Sequence, residues 1–235
     1  MKKIYIFFYL ILILGCSRHT DYIGEKYLGA TYAIDPLGEG VNSIPDSDPL
    51  IRFDAFDCQT FVETALADDD LEQLNKIRYK DGKIGFINRN HFFIPDWLTN
   101  NSGLIKNISS DFGKTDIHGA IINKGAWFNK VHKIKTGLKP ESAEIKYVKY
   151  NNLNLVMPKE SVLVAFITNN PKLVAKIGSD TIVSHVGFLL PNGKLRHASK
   201  DSGRIVDVDF YKYAAARAKI KTNLGVAFFE ITKKN

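Results

Sequence analysis

Residues 184–199 read SHVGFLLPNGKLRHAS and contain two apolar runs, one on each side of Pro191-Asn192-Gly193. Short apolar runs that flank such turn residues predict a β-hairpin. Each predicted strand carries one histidine, His185 in the first and His197 in the second. The register of the hairpin therefore decides whether the two imidazole rings can meet.

Two loop lengths are compatible with this stretch. If only Asn192 and Gly193 form the loop, His197 pairs with Phe188, and His185 points to the opposite face of the sheet. The two histidines would then be unrelated. His185 would then need a different group to orient its ring.

A loop of three residues, 191–193, gives a different result. His197 then faces Gly187, and His185 lies diagonal to His197 on the same face, within reach of its ring. We favour this register because the fixed φ angle of Pro191 suits the second position of a type I turn. The missing side chain of Gly187 would leave room for a ring or a substrate.

Cys58 lies in the run FDCQTFVE, residues 56–63, at the start of a predicted helix. Apolar residues recur at three- and four-residue spacings over residues 58–80, with a possible break at residues 68–70. A helix N-terminus lowers the pKa of a thiol because its unpaired backbone N–H groups favour the thiolate. Free cysteine is also among the most buried residue types, so this position alone leaves catalysis and burial equally open.

The two histidines shift this balance towards a thiol hydrolase. In the favoured register, His185 can accept the proton of Cys58, and His197 can orient His185 through the other ring nitrogen. The alternative is that His197 is an ordinary strand histidine, because the third member of such a triad is the least constrained.

The first 15 residues have the features of an export signal. Two lysines precede an apolar stretch that is too short to span a bilayer and that ends in Leu14-Gly15-Cys16. This ending resembles a bacterial lipobox and implies a lipid on Cys16; a plain secretory signal is the alternative. Ser17 resembles the Gram-negative sorting signal that favours the outer membrane, facing the periplasm. With Cys16 acylated, Cys58 has no disulfide partner in the chain.

We expect a lipid-anchored tether over residues 16–26 and a single domain over residues 27–235, with a mixed insertion at about 83–160. Residues 27–52 are rich in Gly, Pro, Asp and Ser and predict a long loop or a loosely ordered arm. Helices that precede a group of strands indicate an α+β domain with an antiparallel sheet. The strands are predicted at residues 162–167, 182–190, 194–199 and 226–231.

The formal net charge of the 235-residue chain is +7. A modest basic excess favours anionic partners such as wall polymers or phospholipid headgroups. The lysines are dispersed, with no basic helix, no aromatic platform pattern and no zinc-knuckle spacing, so nucleic acid is not expected as a partner. We expect the protein to act as a monomer.

Other hydrolase chemistries lack their motifs. A zinc amidase would need spaced ligands, yet no His-Glu-x-x-His run occurs, and His91, His118 and His132 are predicted in polar loops without ligand spacing. A serine hydrolase would need a nucleophile elbow, and no Gly-x-Ser-x-Gly occurs. We therefore expect neither a metal nor another cofactor.

Four segments together resemble a known family. They are YLGATY at residues 27–32, DCQTFVE at 57–63, the span from Arg89 to Trp97, and SHVG at 184–187. The chain resembles the NlpC/p60-like cysteine peptidases, and more closely the N-acetylmuramoyl-L-alanine amidase-like family. One departure is the strand LVAF at residues 163–166, which lacks the Gly-Asp pair found in many relatives.

The resemblance implies a papain-like core, in which the helix with the cysteine packs on an antiparallel sheet. It also implies cleavage of a peptidoglycan amide, between N-acetylmuramic acid and L-alanine, by Cys58, His185 and His197. The backbone N–H of Cys58 and the hydroxyl of Tyr32 are candidate donors to the oxyanion. Tyr32 could equally be a packing residue. Asp57 could contact substrate, although capping the helix is the safer expectation.

Two other functions stay open at this stage. One is an endopeptidase of the same superfamily that cuts the stem peptide after D-glutamate. The other is a non-catalytic peptidoglycan-binding lipoprotein that retains the fold.

Overall fold

A computed structural model describes residues 22–232, and within this range the chain folds as an α+β structure with one large sheet. The leader and Cys16 lie outside the described residues. No helix in the described range is long and apolar enough to cross a membrane. The strands are β1 (Thr31–Tyr32), β2 (Ala55–Phe56), β3 (Ile105–Asn107), β4 (Gly113–Ile122), β5 (Glu141–Leu153), β6 (Val162–Thr168), β7 (Val183–Leu189), β8 (Lys194–Ser199), β9 (Arg204–Asp209) and β10 (Asn223–Ile231). The α-helices are α1 (Cys58–Ala67), α2 (Leu71–Arg78), α3 (Leu98–Asn100), α4 (Lys124–Trp127), α5 (Pro171–Ile177) and α6 (Phe210–Ala218).

The sheet is antiparallel except for the short parallel pair β1 and β2. Its spatial order is β2-β1-β9-β8-β7-β6-β10-β5-β4, and β3 pairs with β10 beyond the end of the β5 pairing. The four strands predicted after residue 160 are β6, β7, β8 and β10, and they form its centre. The prediction of an α+β fold with an antiparallel sheet is confirmed.

The central strand β6 has both faces buried, because helices cover the sheet on both sides. Leu163, Ala165 and Ile167 pack in the core that includes α1, whereas Val164 and Phe166 pack in the core that includes the start of α6. A strand covered on both faces reads as a continuous apolar run, as VLVAFIT does. Helices α1 and α6 therefore pack on opposite faces of the sheet, both against β6.

The predicted helix over residues 58–80 is two helices, and the break lies where the aspartates suggested. Asp68 and Asp69 have φ angles of 50° and 65°, in the left-handed region that aspartate tolerates better than most residues. Asp70 then accepts a hydrogen bond from the backbone N–H of Gln73 and caps α2.

The N-terminal arm, residues 27–52, is largely irregular as predicted, but it is not loosely held. The buried guanidinium of Arg89 donates to Glu39 at 2.8 Å, to Asp46 at 2.6 Å and to Asp35 at 3.0 Å. These partners lie more than 40 residues from Arg89 in the chain, so no local sequence pattern predicts the ion pairs. The ion pairs fix the arm against the body of the protein.

Residues 83–160 supply more of the sheet than the sequence indicates. After several helical turns, β4 and β5 pair antiparallel along most of their length and extend the sheet beyond β10. Strand β9 and helix α6 are likewise not predicted from the sequence. Much of β4 faces solvent, so its apolar pattern is weak, and β9 has only one fully buried residue, Ile205.

Candidate active site

Cys58 is the first residue of α1, and the residues around it form a capping box. The backbone N–H of Thr60 donates to Asp57 Oδ1 at 2.8 Å, and the backbone N–H of Asp57 donates to Thr60 Oγ1 at 2.9 Å. The expectation that Asp57 caps the helix is confirmed. Cys58 is a free, half-buried cysteine. The cap therefore fixes the helix start that presents the thiol.

The hairpin of β7 and β8 has the three-residue loop. The backbone N–H of Leu190 donates to the carbonyl of Lys194 at 2.8 Å, and Phe188 pairs with Arg196. Gly193 has a φ angle of +77°, the left-handed conformation that closes a three-residue hairpin loop with a β-bulge. This confirms the register that the sequence favoured, and it places His197 opposite Gly187.

The two imidazoles meet on one face of the hairpin. His185 Nε2 lies 2.7 Å from His197 Nδ1, and the rings are nearly perpendicular, at 86°. The ring of Tyr213, from α6, lies 5.0 Å from that of His197 and 6.2 Å from that of His185. The ring of Phe166, on β6, lies 5.8 Å from the ring of His185. Both rings are thus fixed by packing as well as by their mutual hydrogen bond.

A cavity of about 260 Å³ brings the predicted residues together. Tyr32, Cys58, His185 and His197 all line it, whereas Asp57 lines a neighbouring cavity. The other residues of the wall were not anticipated from the sequence: Ser184, Ala198, Ser199, Lys200, Asp201, Tyr213 and Arg217.

Tyr213 and Arg217 are the main residues that sequence reasoning missed. They lie four residues apart on α6, so they present to the same side of the helix. A local signal did exist, because Asp209 caps this helix by accepting from the backbone N–H of Lys212 at 2.9 Å. A helix could have been predicted there, but its position over the two histidines depends on the tertiary fold.

Burial, followed by the charge of Asp57, raises the pKa of the Cys58 thiol to about 12. Backbone N–H groups of Val186, Cys58 and Gln59 act in the opposite direction. The ladder between β7 and β8 stops at Phe188, and the N–H of Val186 is directed at the thiol. The helix start alone therefore does not give a thiolate; the resting thiol is protonated.

The two histidines are also neutral at rest. Burial, then His197 and Arg217, lowers the pKa of His185 well below 6.5. Burial, then the charge of Arg217, lowers the pKa of His197 to about 4. A neutral imidazole beside a protonated thiol can act as a general base at the moment of attack. The raised pKa of Cys58 and the lowered pKa of His185 favour this mode over a preformed ion pair.

Tyr32 lies on β1 and lines the cavity together with Cys58. Burial, and then the neighbouring Cys58, raises the pKa of the Tyr32 hydroxyl. The hydroxyl therefore keeps its proton and can donate a hydrogen bond. Its role as an oxyanion donor stays a prediction.

A second cavity, of about 290 Å³, adjoins the start of α1. Asp57 and Gln59, the two neighbours of Cys58 in the chain, line it together with Trp127 and His132. The Trp127 ring lies 4.6 Å from that of His132 and 4.8 Å from that of His91. An aromatic wall and polar groups thus continue the site beyond the thiol.

The sequence predicts His91, His118 and His132 in polar loops, and this is correct only for His91. His118 is on β4, and His132 ends the helical turn Phe128–His132. His91 does lie in an irregular segment, where its Nε2 is 2.7 Å from the carbonyl of Phe86. Among residues 22–232, no group of three or more His, Cys, Asp or Glu side chains is arranged to hold a metal ion.

Comparison with known proteins identifies the family. A model of the N-acetylmuramoyl-L-alanine amidase-like family matches residues 22–220. No curated protein matches the chain.

Several solved structures share the fold. A Legionella pneumophila protein is 28% identical, with a TM-score of 0.82 over 90% of this chain and 87% of that one. An N-acetylmuramoyl-L-alanine amidase from Bacteroides uniformis is 23% identical, with a TM-score of 0.65 over 89% and 97% of the two chains. A Bacteroides fragilis protein, provisionally named a xylanase, is 24% identical, with a TM-score of 0.67 over 88% and 99%. The last two likenesses concern the fold alone. On the extent of the family match, the chain belongs to the N-acetylmuramoyl-L-alanine amidase-like family.

Proposed function

We propose that the protein is a cysteine-dependent peptidoglycan hydrolase that cleaves the amide between N-acetylmuramic acid and L-alanine. The observation that carries the proposal is the 2.7 Å contact between His185 Nε2 and His197 Nδ1, in the cavity that Cys58 also lines. The family supports peptidoglycan as the substrate. In this proposal Cys58 is the nucleophile, His185 the base and His197 the orienting group.

The proposal includes a papain-like core related to the NlpC/p60 proteins. Its support is the packing of α1 on the sheet, with Phe61 and Phe188 in edge contact at 5.7 Å between ring centroids. Cys58 begins this helix, and the cavity that it lines is also lined by His185 of β7. A nucleophile at a helix start beside a strand histidine is the arrangement that this architecture requires.

In the first step, the sulfur of Cys58 attacks the lactyl carbonyl carbon of the muramic acid. A C–S bond forms while the thiol proton passes to Nδ1 of His185, because Nε2 faces His197. The carbonyl oxygen becomes an oxyanion, which the backbone N–H of Cys58 and the hydroxyl of Tyr32 would stabilise. Asp57 acts through the helix cap.

In the second step, the C–N bond breaks and His185 returns the proton to the leaving amine of L-alanine. A water molecule, deprotonated by His185, then attacks the thioester carbon, and the C–S bond breaks. Cys58 recovers its proton. The products are a stem peptide with a free amino terminus and a muramic acid with a free carboxylate.

We also propose that a lipid on Cys16 anchors the protein to the cell envelope, in a Gram-negative cell to the outer membrane, facing the periplasm. The support is the lipobox-like sequence. Two or three acyl chains give stable anchoring. Cys16→Ser should move the protein from the membrane fraction to the soluble fraction.

The catalytic proposal is tested by digesting defined muropeptides and measuring product masses, with Cys58→Ala as the control. Release of the free disaccharide and the intact stem peptide is the expected result, and Cys58→Ala should release neither. Fragments that end at D-glutamate would instead identify a stem-peptide endopeptidase. If the parent protein and Cys58→Ala both bind sacculi and neither releases products, the protein is a non-catalytic binder.

A further inference from the structure

Arg217 is positioned at the wall of the catalytic cavity by an unusual set of neighbours. Its Nη2 donates to Ser184 Oγ at 2.6 Å, next to His185. Its guanidinium carbon lies 5.1 Å from the ring centroid of Phe166 and 5.8 Å from that of Tyr213. A guanidinium that stacks on two rings has a fixed plane, which suits recognition of a planar anion.

The charge of Arg217 has no counterion within the described part of the chain. Its Nε is buried and has no hydrogen-bond partner. The groups that accept from its other nitrogens are all neutral: Ser184 Oγ, Tyr213 Oη and Asn223 Oδ1. No carboxylate among residues 22–232 forms an ion pair with this guanidinium. Arg196, by contrast, forms a two-bond pair with Asp207 at 2.8 Å. Lys200, also on the cavity wall, adds a second positive charge, and Asp201 is the one carboxylate in the lining. A partly buried cation whose partners are all uncharged favours an anionic ligand.

The second cavity, of about 290 Å³, which Asp57 lines, does not offer the same site for an anion. Its two arginines already have partners, since Arg89 binds Asp35 at 3.0 Å and Arg78 lies 3.9 Å from Glu63. An anionic group of the substrate is therefore better accommodated at the Arg217 end.

In the proposed substrate, the charged group nearest to the scissile bond lies on the stem-peptide side. The leaving group is the amine of L-alanine, and the next residue, D-glutamate, carries an α-carboxylate unless it is amidated to D-isoglutamine. The N-acetylated sugar on the acyl side is uncharged. Only the stem peptide can thus place a carboxylate near the thiol.

We propose that Arg217, with Lys200, binds the α-carboxylate of the second stem residue and makes the enzyme selective for stems with free D-glutamate. This inference rests on the proposed amidase function. It also sets the direction of the substrate, with the stem peptide towards α6 and the sugar towards the cavity that Trp127 lines. Arg217 is here a specificity residue and takes no part in bond cleavage.

The experiment compares kcat/KM for two muropeptides that differ only in D-glutamate or D-isoglutamine. We expect the parent protein to favour D-glutamate by about tenfold or more, as a charge-assisted bidentate contact can provide. Arg217→Gln should remove most of this preference by slowing the D-glutamate substrate, and Arg217→Lys should retain part of it. Lys212→Gln removes a charge from an exposed position of the same helix, outside the cavity, and should keep the parent ratio.

The ratio separates recognition from a structural role. If Arg217 only held Ser184 in place, Arg217→Gln would slow both substrates by the same factor, and that result would overturn the inference. Equal rates of the parent protein on both substrates would overturn it too, without any variant having to fold, and would leave the amidase function intact. If the parent hydrolyses neither substrate, the proposed function fails and the inference fails with it.

Discussion

Nε2 of His185 lies 2.7 Å from Nδ1 of His197, and this contact determines which nitrogen can serve Cys58. One of the two facing nitrogens must carry the proton and the other must accept it. If His185 donates from Nε2, its Nδ1 is free to accept the thiol proton, and His197 carries its own proton on Nε2. That atom of His197 is buried without a partner. In the proposed mechanism, His197 therefore fixes the tautomer of His185 and does not act on the substrate.

We expect His185→Ala to reduce kcat by about 10⁴-fold or more, and His197→Ala by about 10²-fold, because the second change leaves the base in place but unoriented. His197→Asn should recover part of the loss, since its amide oxygen can still accept from Nε2 of His185. Steady-state kinetics on a defined muropeptide measure these effects.

His118→Ala provides the matched histidine control, because His118 is on β4 at the far edge of the sheet. This variant should keep parental kcat. Full activity in His197→Ala, with an unchanged melting temperature, would contradict the orienting role.

Gly187 allows the two strands of the hairpin to approach where His197 lies. A Cβ atom at this position would be 2.8 Å from the carbonyl oxygen of Arg196 and 2.9 Å from the Cβ of His197. We expect Gly187→Ala to push the rings apart and to reduce kcat by about 10-fold or more, with a loss of roughly 1–3 kcal/mol in the free energy of unfolding. Kinetics and urea denaturation report the two effects separately.

Gly103→Ala is the matched control, since no atom lies within 4 Å of the Cβ that it would add. It should change neither quantity appreciably. If Gly187→Ala retains parental kcat while losing stability, the contact between the rings does not depend on this close approach.

These two elements, the hairpin and the start of α1, are the parts of the site that the sequence predicts well. Pro191 limits the loop conformation by its own φ angle, and Asp57 caps the helix through Thr60, three residues away. Both are local effects that act within a few residues. The meeting of His185 with His197 then follows from strand geometry once the loop length is correct.

Other parts of the site depend on contacts between distant segments. Arg217 reaches Ser184 across 33 residues, and Arg89 reaches Asp35 across 54. Neither pairing leaves a periodic pattern in the sequence. The raised pKa of Cys58 is likewise a result of burial, which outweighs the effect expected from the helix N-terminus alone.

The lowered pKa of His185 predicts how kcat/KM depends on pH. The base must be neutral, so kcat/KM should stay near its maximum as the pH falls through 6.5, the ordinary value for histidine, and should decline only at lower pH. The thiol, with a pKa raised to about 12, should react slowly with iodoacetamide near neutral pH and faster as the pH rises. A pH series of both rates tests this.

A thiolate that already exists in the resting enzyme would give the opposite alkylation profile. Its reaction with iodoacetamide would be fast and nearly independent of pH around neutrality. That outcome would replace general-base catalysis by a preformed ion pair between Cys58 and His185. The cavity would be the same, but the proton would have moved before substrate binds.

The same histidines affect stability. The folded-state pKa is about 4 for His197 and lies well below 6.5 for His185, while each would be near 6.5 in the unfolded chain. Below pH 6.5 the unfolded state therefore binds more protons, so the free energy of unfolding should fall as the pH decreases from 6.5 towards 4. Urea denaturation of the parent and of a His185→Gln, His197→Gln double variant measures this dependence, which should be weaker in the double variant. An equal slope in both proteins would assign the acid sensitivity to other groups.

Arg89 links the N-terminal arm to the start of α1, where Cys58 lies. It binds Asp35, and the backbone N–H of Asp35 donates to Asp57 Oδ2 at 3.3 Å, beside Cys58. Glu39 is buried with Arg89, and burial raises the pKa of its carboxyl even with the guanidinium present. Replacing Arg89 by Met leaves these carboxylates without a counterion. We expect a loss of about 3–5 kcal/mol in the free energy of unfolding.

The matched control is Arg52→Met. This change removes an arginine that pairs with Asp54 at the protein surface. Exposed pairs contribute little, because water screens the charges, so this variant should unfold close to the parental urea midpoint. Equal losses in the two variants would mean that the buried ion pairs do not hold the arm. A loss confined to Arg89→Met, accompanied by a lower kcat, would show that the arm supports the helix cap at Asp57 and, through it, the position of the Cys58 thiol.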